Sequence, residues 1–365
     1  MEDIPRRLSI VNQTVAFLRS RITKGHWNDW LPGERQLTDQ LQVSRNTVRS
    51  ALDQLSREGL IRRHHGAGTE VVAAKQQRRP SMRSRDIALL MPEPLEQLQP
   101  RQNIFISELR GLMSERGCSL HIFHGQRYFR GNPGPMLKKL VKSEPHGCWI
   151  LSMTNKAVQK WFLDNGVRCI VAGSAYPGIE LPFSDLDHRS VCRHAVGVML
   201  RSGHTRIAYV AFKSGRAGDL EGVEGFAEGV RLACRFGVES QVIYHDPNPA
   251  SIRQAVIRLI EQKHPPTALL VANAFHFLAV ATQLSQMGRR IPQDISVICR
   301  DDGSFLNFFI PEPTRYIASG HAMAKSIWRP ILELLEGGVV THRGGFIMPE
   351  FIQGATIAPP APTRA

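Results

Sequence analysis

The sequence predicts an α/β chain in two parts: a small helix-turn-helix with a hairpin wing, then a larger part built on parallel β-sheets. Three observations predict it. Residues 31–69 read LPGERQLTDQLQVSRNTVRSALDQLSREGLIRRHHGAGT, two amphipathic helices at a tight turn followed by a hairpin. From Asp86 onward, short apolar runs alternate with amphipathic helices, the pattern of parallel sheets covered on both faces. Residues 1–85 carry 16 Lys and Arg against 8 Asp and Glu, a net +8, which leaves +6 of the chain's +14 for the other 280 residues. Basic charge concentrated in one small domain implies a polyanionic partner and salt-dependent binding.

The elements follow in order. Leu31, Pro32 and Gly33 make a turn, and a helix runs from about Glu34 to Leu41. After a short turn through Gln42 and Val43, Ser44 is a good N-cap for a second helix reaching about Glu58, with Val48, Leu52 and Leu55 on one face. Gly59 ends that helix. Leu60–Arg63 and Thr69–Val72 then read as two short strands around a turn at His64–Gly68. In such a layout the second helix enters the DNA major groove and the hairpin lies beside it. Its first turns carry Arg45, Asn46, Thr47 and Arg49 after the Ser44 cap. Arg can pair with guanine in bidentate fashion, Asn with adenine, and Ser or Thr with phosphate. Any one of these residues alone is equally explained as part of a solvated helix face.

The stretch from about Leu8 to Val72 resembles the DNA-binding domain of the GntR family of bacterial repressors. The likeness rests on the LPGER turn, on SRNTVRSALDQLSREGLI, and on the wing glycines Gly66 and Gly68 followed by Thr69. It implies DNA contacts from Arg35, Arg45 and Arg49, with Ser44, Asn46 and Thr47 beside them. It also implies that Thr47, His65 and Gly66 approach the backbone or minor groove, with Gly68 as a further DNA-binding position in the wing. Ala67 stands where the family has Lys or Arg, so the wing tip is expected to hold DNA less tightly.

The six cysteines form no CxxC pair and none stands at metal-ligand spacing with the histidines; most lie in or beside apolar runs, as buried reduced thiols do. No signal peptide is expected, because the first apolar stretch is broken by Asn12, Gln13 and Arg19. No run of about twenty apolar residues predicts a membrane span. A cytoplasmic location without membrane attachment is the expectation. No metal and no cofactor are expected.

The segment from Ala73, AAKQQRRPSMRSRD, is polar, basic and without periodicity, and reads as a linker. Domains are accordingly expected at 1–73 and 86–365, joined by 74–85. In the larger part, candidate strands are Ile87–Met91, Leu120–Phe123, Cys148–Leu151, Cys169–Ala172, Ile207–Val210, Gln241–Tyr244, Ala268–Val271 and Ser296–Cys299. Helices are expected at Ile104–Arg116, Pro135–Val141, Ala157–Asn165, Arg189–Arg201, Gly222–Phe236, Ser251–Gln262 and Phe275–Met287. One sheet cannot easily take every strand, so two subdomains are expected, with a ligand crevice at the carboxyl ends of the strands.

This part resembles the sensor domain of LacI-family repressors, related to periplasmic sugar-binding proteins, over about Asp86 to Gln353. The carrying segments are DHRSVCRHAVGVMLRSGHTRIAYV from Asp187, GVEGFAEGV from Gly222, PPTALLVAN from Pro265 and IPQDISVICRDD from Ile291. The full expectation is an α/β fold: an N-terminal winged helix-turn-helix plus a periplasmic-binding-protein-like sensor of two α/β subdomains with parallel sheets. Subdomain one would hold about 86–187 and 316–340, and subdomain two about 188–315 and 341–358. The resemblance implies ligand contacts from Ser152, Asp187, Asn273 and Asp301. Asp301 and Asn273 are equally explained as a strand-end cap and a turn residue. The chain departs from the family at Gly222, where an Arg is usual, at Ala274 and Gly173, where an Asp is usual, and at Arg300, where an aromatic is usual. Loss of a ligand-clamping Arg implies an unusual ligand or a cleft that no longer senses one.

The function implied is a transcriptional regulator, in the family's default a repressor. It would bind a palindromic operator in double-stranded DNA as a homodimer and respond to a sugar or sugar derivative in the cleft. The alternative is a DNA-binding regulator with a non-sensing or protein-responsive C-terminal domain. A fused pyridoxal-phosphate enzyme has little support: the lysines sit mostly in amphipathic helices or loops with no phosphate-binding context. GxSxG, HExxH and P-loop sequences are absent, so no enzyme is expected.

Overall fold

The computed structural model describes residues 9–23, 27, 30–64, 68–71, 85–233, 237–337, 340 and 344–361. The chain divides into two units, Met1–Arg83 and Ser84–Ala365. The expected linker 74–85 lies outside the described residues except for Arg85, as does Cys234.

The first unit has helices α1 (Ile10–Thr23), α2 (Glu34–Leu41) and α3 (Arg45–Arg57), then strands β1 (Ile61–His64) and β2 (Gly68–Val71). Its core is the apolar stripe of each helix: Val15, Leu18 and Ile22 meet Leu37, Val48, Leu52 and Leu55, closed off by Ile61 and Val71. Arg19 of α1 grips Glu58, the C-cap of α3, through both carboxylate oxygens at 2.7 and 2.8 Å, fixing one helix on the other. Gly59 follows with φ +73°, a conformation that favours glycine and turns the chain into the hairpin. The hairpin is antiparallel, with Ile61 opposite Val71 and His64 opposite Gly68. Both strands thus sit one residue away from the expected spans.

The second unit has two six-stranded sheets. The first carries β3 (Asp86–Met91), β4 (Ser119–His124), β5 (Cys148–Ser152), β6 (Cys169–Ala172), β7 (Phe183–Leu186) and β13 (Gly344–Ile347) in the order β13-β7-β6-β5-β3-β4, all parallel. The second carries β8 (Arg206–Phe212), β9 (Glu239–His245), β10 (Ala268–Val271), β11 (Ser296–Cys299), β12 (Thr314–Ile317) and β14 (Glu350–Ile352) in the order β14-β12-β11-β10-β8-β9. Only β14 runs antiparallel to its neighbour. The helices are α4 (Pro100–Ser114), α5 (Gly134–Ser143), α6 (Lys156–Asp164), α7 (His188–Arg201), α8 (Ala217–Leu232), α9 (Pro249–Ile260), α10 (Ala274–Gln286) and α11 (Gly320–Glu336).

The strands are continuous apolar runs because both faces are buried. In β3, Ile87, Leu89 and Met91 face α4 and α11, while Ala88 and Leu90 face the opposite cluster with Leu137 and Phe162. The second sheet is sandwiched the same way, with Val297 and Cys299 on one face and Ile298 on the other.

Strands β7, β12, β13 and β14 and helix α11 were not among the expected elements. The strands are three or four residues long and polar or glycine-rich: β7 buries Ser184 and Asp185, β12 buries Arg315, and β13 opens with two glycines. Helix α11 contains Pro330, a residue that ordinarily breaks a helix. Because β12 belongs to the second sheet and β13 to the first, the last two crossings fall at 318–319 and 348–349, where 315–316 and 340–341 were expected.

Candidate functional site

Two sites are built by these units. On the first, Ser44 caps α3: its Oγ accepts from the Thr47 backbone N–H at 3.1 Å and lies 2.8 Å from the Thr47 hydroxyl. Both hydroxyls are therefore occupied in shaping the helix start. Arg45 and Asn46 project from that first turn, exposed and without a hydrogen bond or ion pair among the described residues; Arg35, in the first turn of α2, is the same. Arg49 is exposed but tethered, its Nε 2.8 Å from Glu34. Arg63 bonds the same Glu34 and also Asp53. The Arg49 hydrogen bond holds the Glu34 carboxyl below the usual carboxylate range. Arg49 is thus held at the surface against a carboxylate, unlike Arg45 and Arg35.

The wing is stitched to the turn before α2. Trp30 bridges Glu70, and the Leu31 N–H donates to the Thr69 carbonyl at 2.9 Å. Gly68 packs on the Trp30 ring, where an added Cβ would stand 3.4 Å from it. His65 and Gly66 lie outside the described residues. Trp30 and Arg62, both exposed, were not singled out in the sequence.

The second site is a cleft of about 490 Å³ at the carboxyl ends of both sheets. Ser152, Asn273 and Asp301 line it. Asn273 also caps α10, its side-chain oxygen accepting from Phe275 and His276 backbone N–H groups, so its amide NH₂ is what remains for a ligand. Asp187 is a correction: it does not line the cleft. Its carboxylate is spent on the Ser190 N–H at 2.8 Å, capping α7, and its neighbours Asp185 and His188 face the cleft instead.

The cleft also holds a cation that motif comparison read as a loss. Arg300 is buried, and its Nε, Nη1 and Nη2 donate to the Ala272 carbonyl at 3.1 Å, the Tyr209 hydroxyl at 2.8 Å and Asp219 at 2.6 Å. Burial alone would raise the Asp219 pKa, but the Arg300 charge overrides it and holds the carboxyl at about 2. Gly222 makes the room: a Cβ there would stand 2.7 Å from Arg300 Nη1 and 3.2 Å from the Tyr209 hydroxyl. The missing side chain at 222 and the extra guanidinium at 300 are therefore one feature. Gly173 has φ +142°, which an aspartate there would adopt only under strain. Ala274 is 1% exposed in the core of the second subdomain, so its side chain is not available to the cleft.

Further lining residues were not visible in sequence. Arg101 of α4 reaches across to Asp301 at 3.5 Å, and Arg216 to Glu93 at 3.7 Å. His276 stands edge-on to His245 with ring centroids 4.6 Å apart. Burial, with the neighbouring His245, pushes its pKa down to about 4, so it is neutral at pH 7. Among the described residues no group of three or more His, Cys, Asp and Glu could hold a metal, and no helix is long and apolar enough to cross a membrane.

Residues 10–71 match the family model described as bacterial regulatory proteins, gntR family, and residues 196–357 match the periplasmic binding protein-like domain. Among curated relatives, the HTH-type transcriptional regulator reg1 of Streptomyces lividans is 26% identical over 200 residues, 53% of this chain and 58% of reg1. The chain thus spans little more than half of that relative. The arabinose metabolism transcriptional repressor of Halalkalibacterium halodurans is 23% identical over 288 residues, 75% of this chain and 74% of that protein. Among solved structures, a transcriptional regulator CelR–cellobiose complex matches with TM-score 0.67 at 19% identity, covering 96% of this chain and 100% of that one. A LacI family transcriptional regulator from Bifidobacterium animalis subsp. lactis matches with TM-score 0.66 at 21% identity, covering 77% and 100%. These structural likenesses establish the fold.

Proposed function

We propose, starting from a gntR-family DNA-binding domain joined to a LacI-like, periplasmic-binding-protein-like domain, that this chain is a ligand-responsive transcriptional repressor. It is cytoplasmic, catalyses no reaction and needs no cofactor. It binds a palindromic operator as a homodimer, with the first turn of α3 in the major groove of each half-site and half-sites about one helical turn apart. Arg45, Asn46 and Arg35 read or position the DNA, and Arg49 joins them by exchanging Glu34 for phosphate.

A small, sugar-like ligand occupies the cleft, touching Ser152, Asn273 and Asp301. Ligand alters operator affinity only to the extent that it binds one arrangement of the two subdomains better than the other. The observation that carries the reading is the cleft itself. Its floor is a fully hydrogen-bonded Arg300–Asp219–Tyr209 cluster admitted by Gly222, which favours a maintained site over a decayed one. The cellobiose named with CelR is the model for the ligand class. Dimerisation draws support from the loop after β11, where Phe308 is 86% and Ile310 91% exposed. Apolar side chains that exposed are suited to burial between two copies.

The test is selection of DNA sites from a random library by the full chain, followed by titration of the selected site. Recovery of an inverted repeat bound by a dimer supports the reading; recovery of no enriched sequence overturns it.

A further inference from the structure

Two arginine–aspartate pairs stand in the cleft, and they differ. Arg300–Asp219 is short at 2.6 Å, and its guanidinium is held from two further sides. Arg101–Asp301 is stretched: Nη2 lies 3.5 Å from Oδ2. Good charge-assisted bonds of this type are roughly 2.7–2.9 Å. The Arg101 Nε–H is buried and has no acceptor. A donor left in that state is costly and is tolerated where a partner is to arrive.

Nε and Nη2 lie on the same edge of a guanidinium, the fork that takes both oxygens of a carboxylate. Elsewhere in this chain that edge does so, as in Arg290 with Asp294 at 2.8 and 3.0 Å. In Arg101 the edge is half empty and half stretched. Asp301 offers the complementary chemistry, since an ionised carboxylate only accepts hydrogen bonds. The two residues belong to different subdomains, Arg101 to α4 and Asp301 to the end of β11. A ligand inserted between them would exchange one weak internal pair for contacts to both halves.

The lining holds four carboxylates, Glu93, Asp185, Asp219 and Asp301, against three guanidiniums, but Glu93, Asp185 and Asp219 already have partners in Arg216, Ser174 with His188, and Arg300, which leaves Arg101 as the cation with the weakest partner. Several helices begin at this cleft, among them α4, α7, α8, α10 and α11, each with residues of its N-terminal end in the lining. Helix N-termini present positive potential to whatever lies before them. Arg216, loosely paired at 3.7 Å, adds a further guanidinium to the same lining.

We propose that the ligand is a sugar acid, a polyhydroxylated carboxylate whose acid group is taken side-on by Arg101 and whose neighbouring hydroxyl donates to Asp301. This rests on the reading of the cleft as a ligand site and narrows it from sugars at large to acidic ones. Arg101 is then the residue that sets acid against neutral specificity.

Calorimetric titration of the full chain tests it, with D-glucuronate, D-galacturonate and D-gluconate set against D-glucose, D-galactose and D-sorbitol. At least one acid is expected to bind at least about tenfold tighter than its neutral counterpart. Arg101→Met should weaken the acid by far more than the neutral compound, so that the preference between them disappears. Arg101→Lys, which keeps the charge but loses the fork, should bind the acid more weakly than the original chain. Neutral compounds bound as tightly as acids, or an acid preference surviving in folded Arg101→Met, overturns the proposal and leaves the cleft reading standing. Absence of binding by all of these compounds overturns the proposal, and cellobiose titrated beside them then decides the cleft reading, which its own failure to bind overturns.

Discussion

Replacing Gly222 by Ala tests the packing that defines the cleft floor. The new Cβ would stand 2.7 Å from Arg300 Nη1, 3.2 Å from the Tyr209 hydroxyl and 3.3 Å from Cys192 Sγ, inside buried surroundings. A long surface side chain would swing aside, but Arg300 is tied at three nitrogens, so relief means breaking the Tyr209 bond or pulling away from Asp219. Losing a hydrogen bond to a charged group costs about 1.5–3 kcal/mol. Against this, alanine in a helix gains about 1 kcal/mol over glycine. The net expectation is a loss of about 0.5–2 kcal/mol, or roughly 1–6 °C in the melting temperature of a unit this size. Scanning calorimetry reads it. The deficit should also shrink in acid. Asp219 has its folded pKa depressed from 3.8 to about 2, so its contribution is present above pH 4 and is lost as pH falls through 2. That shift corresponds to about 2 kcal/mol, and Arg300 must be in place for it to be realised. A Gly222→Ala protein as stable as the original, or more stable as helix propensity alone requires, would refute the argument.

Three other outcomes follow from the same structure. Arg45→Ala should weaken binding to a selected operator at least about tenfold in fluorescence anisotropy, the value of one good base contact; unchanged affinity in a folded variant removes α3 as the reading helix. Ser44→Ala removes the acceptor for the Thr47 N–H and should lower the stability of the first unit by about 1 kcal/mol in denaturant titration. It should weaken DNA binding less than Arg45→Ala, since the Ser44 hydroxyl is already engaged. Ile310→Asp puts a charge on a side chain that is 91% exposed, so the fold should be retained while sedimentation equilibrium shifts from dimer toward monomer; an unaltered dimer moves the interface elsewhere.

What the sequence revealed follows physical lines. The N-terminal unit was legible because its signals are local: the Ser44 cap, the stripe Val48–Leu52–Leu55 and the Gly59 stop all lie within one turn or two of what they determine. The central strands were legible because burial on both faces makes them unbroken apolar runs. The short strands were missed for the opposite reason, since Arg315 and Asp185 interrupt the apolar pattern and are buried only because adjoining loops supply partners: Asn307 and Asp302 for Arg315, and Ser174 for Asp185. The site was half legible. Ser152, Asn273 and Asp301 end strands, where an α/β crevice must be. Gly222 and Arg300 looked like two separate losses, because only the fold brings a glycine of α8 against a guanidinium seventy-eight residues later. Asp187 was misplaced because a helix cap and a cleft contact look alike in sequence: both are an acidic residue just before a helix.

The central claim is that occupancy of the cleft changes affinity for DNA. It is tested by titrating labelled, selected operator with the full chain, with and without the compound that most raises its melting temperature in a panel of sugars and sugar acids. A compound at about 100 times its dissociation constant adds roughly 2.7 kcal/mol to stability, which identifies it. The account predicts that this compound shifts operator affinity by about fivefold or more, and that Asp301→Ala abolishes the shift while still binding the operator. Operator affinity that stays the same with the cleft saturated would contradict it.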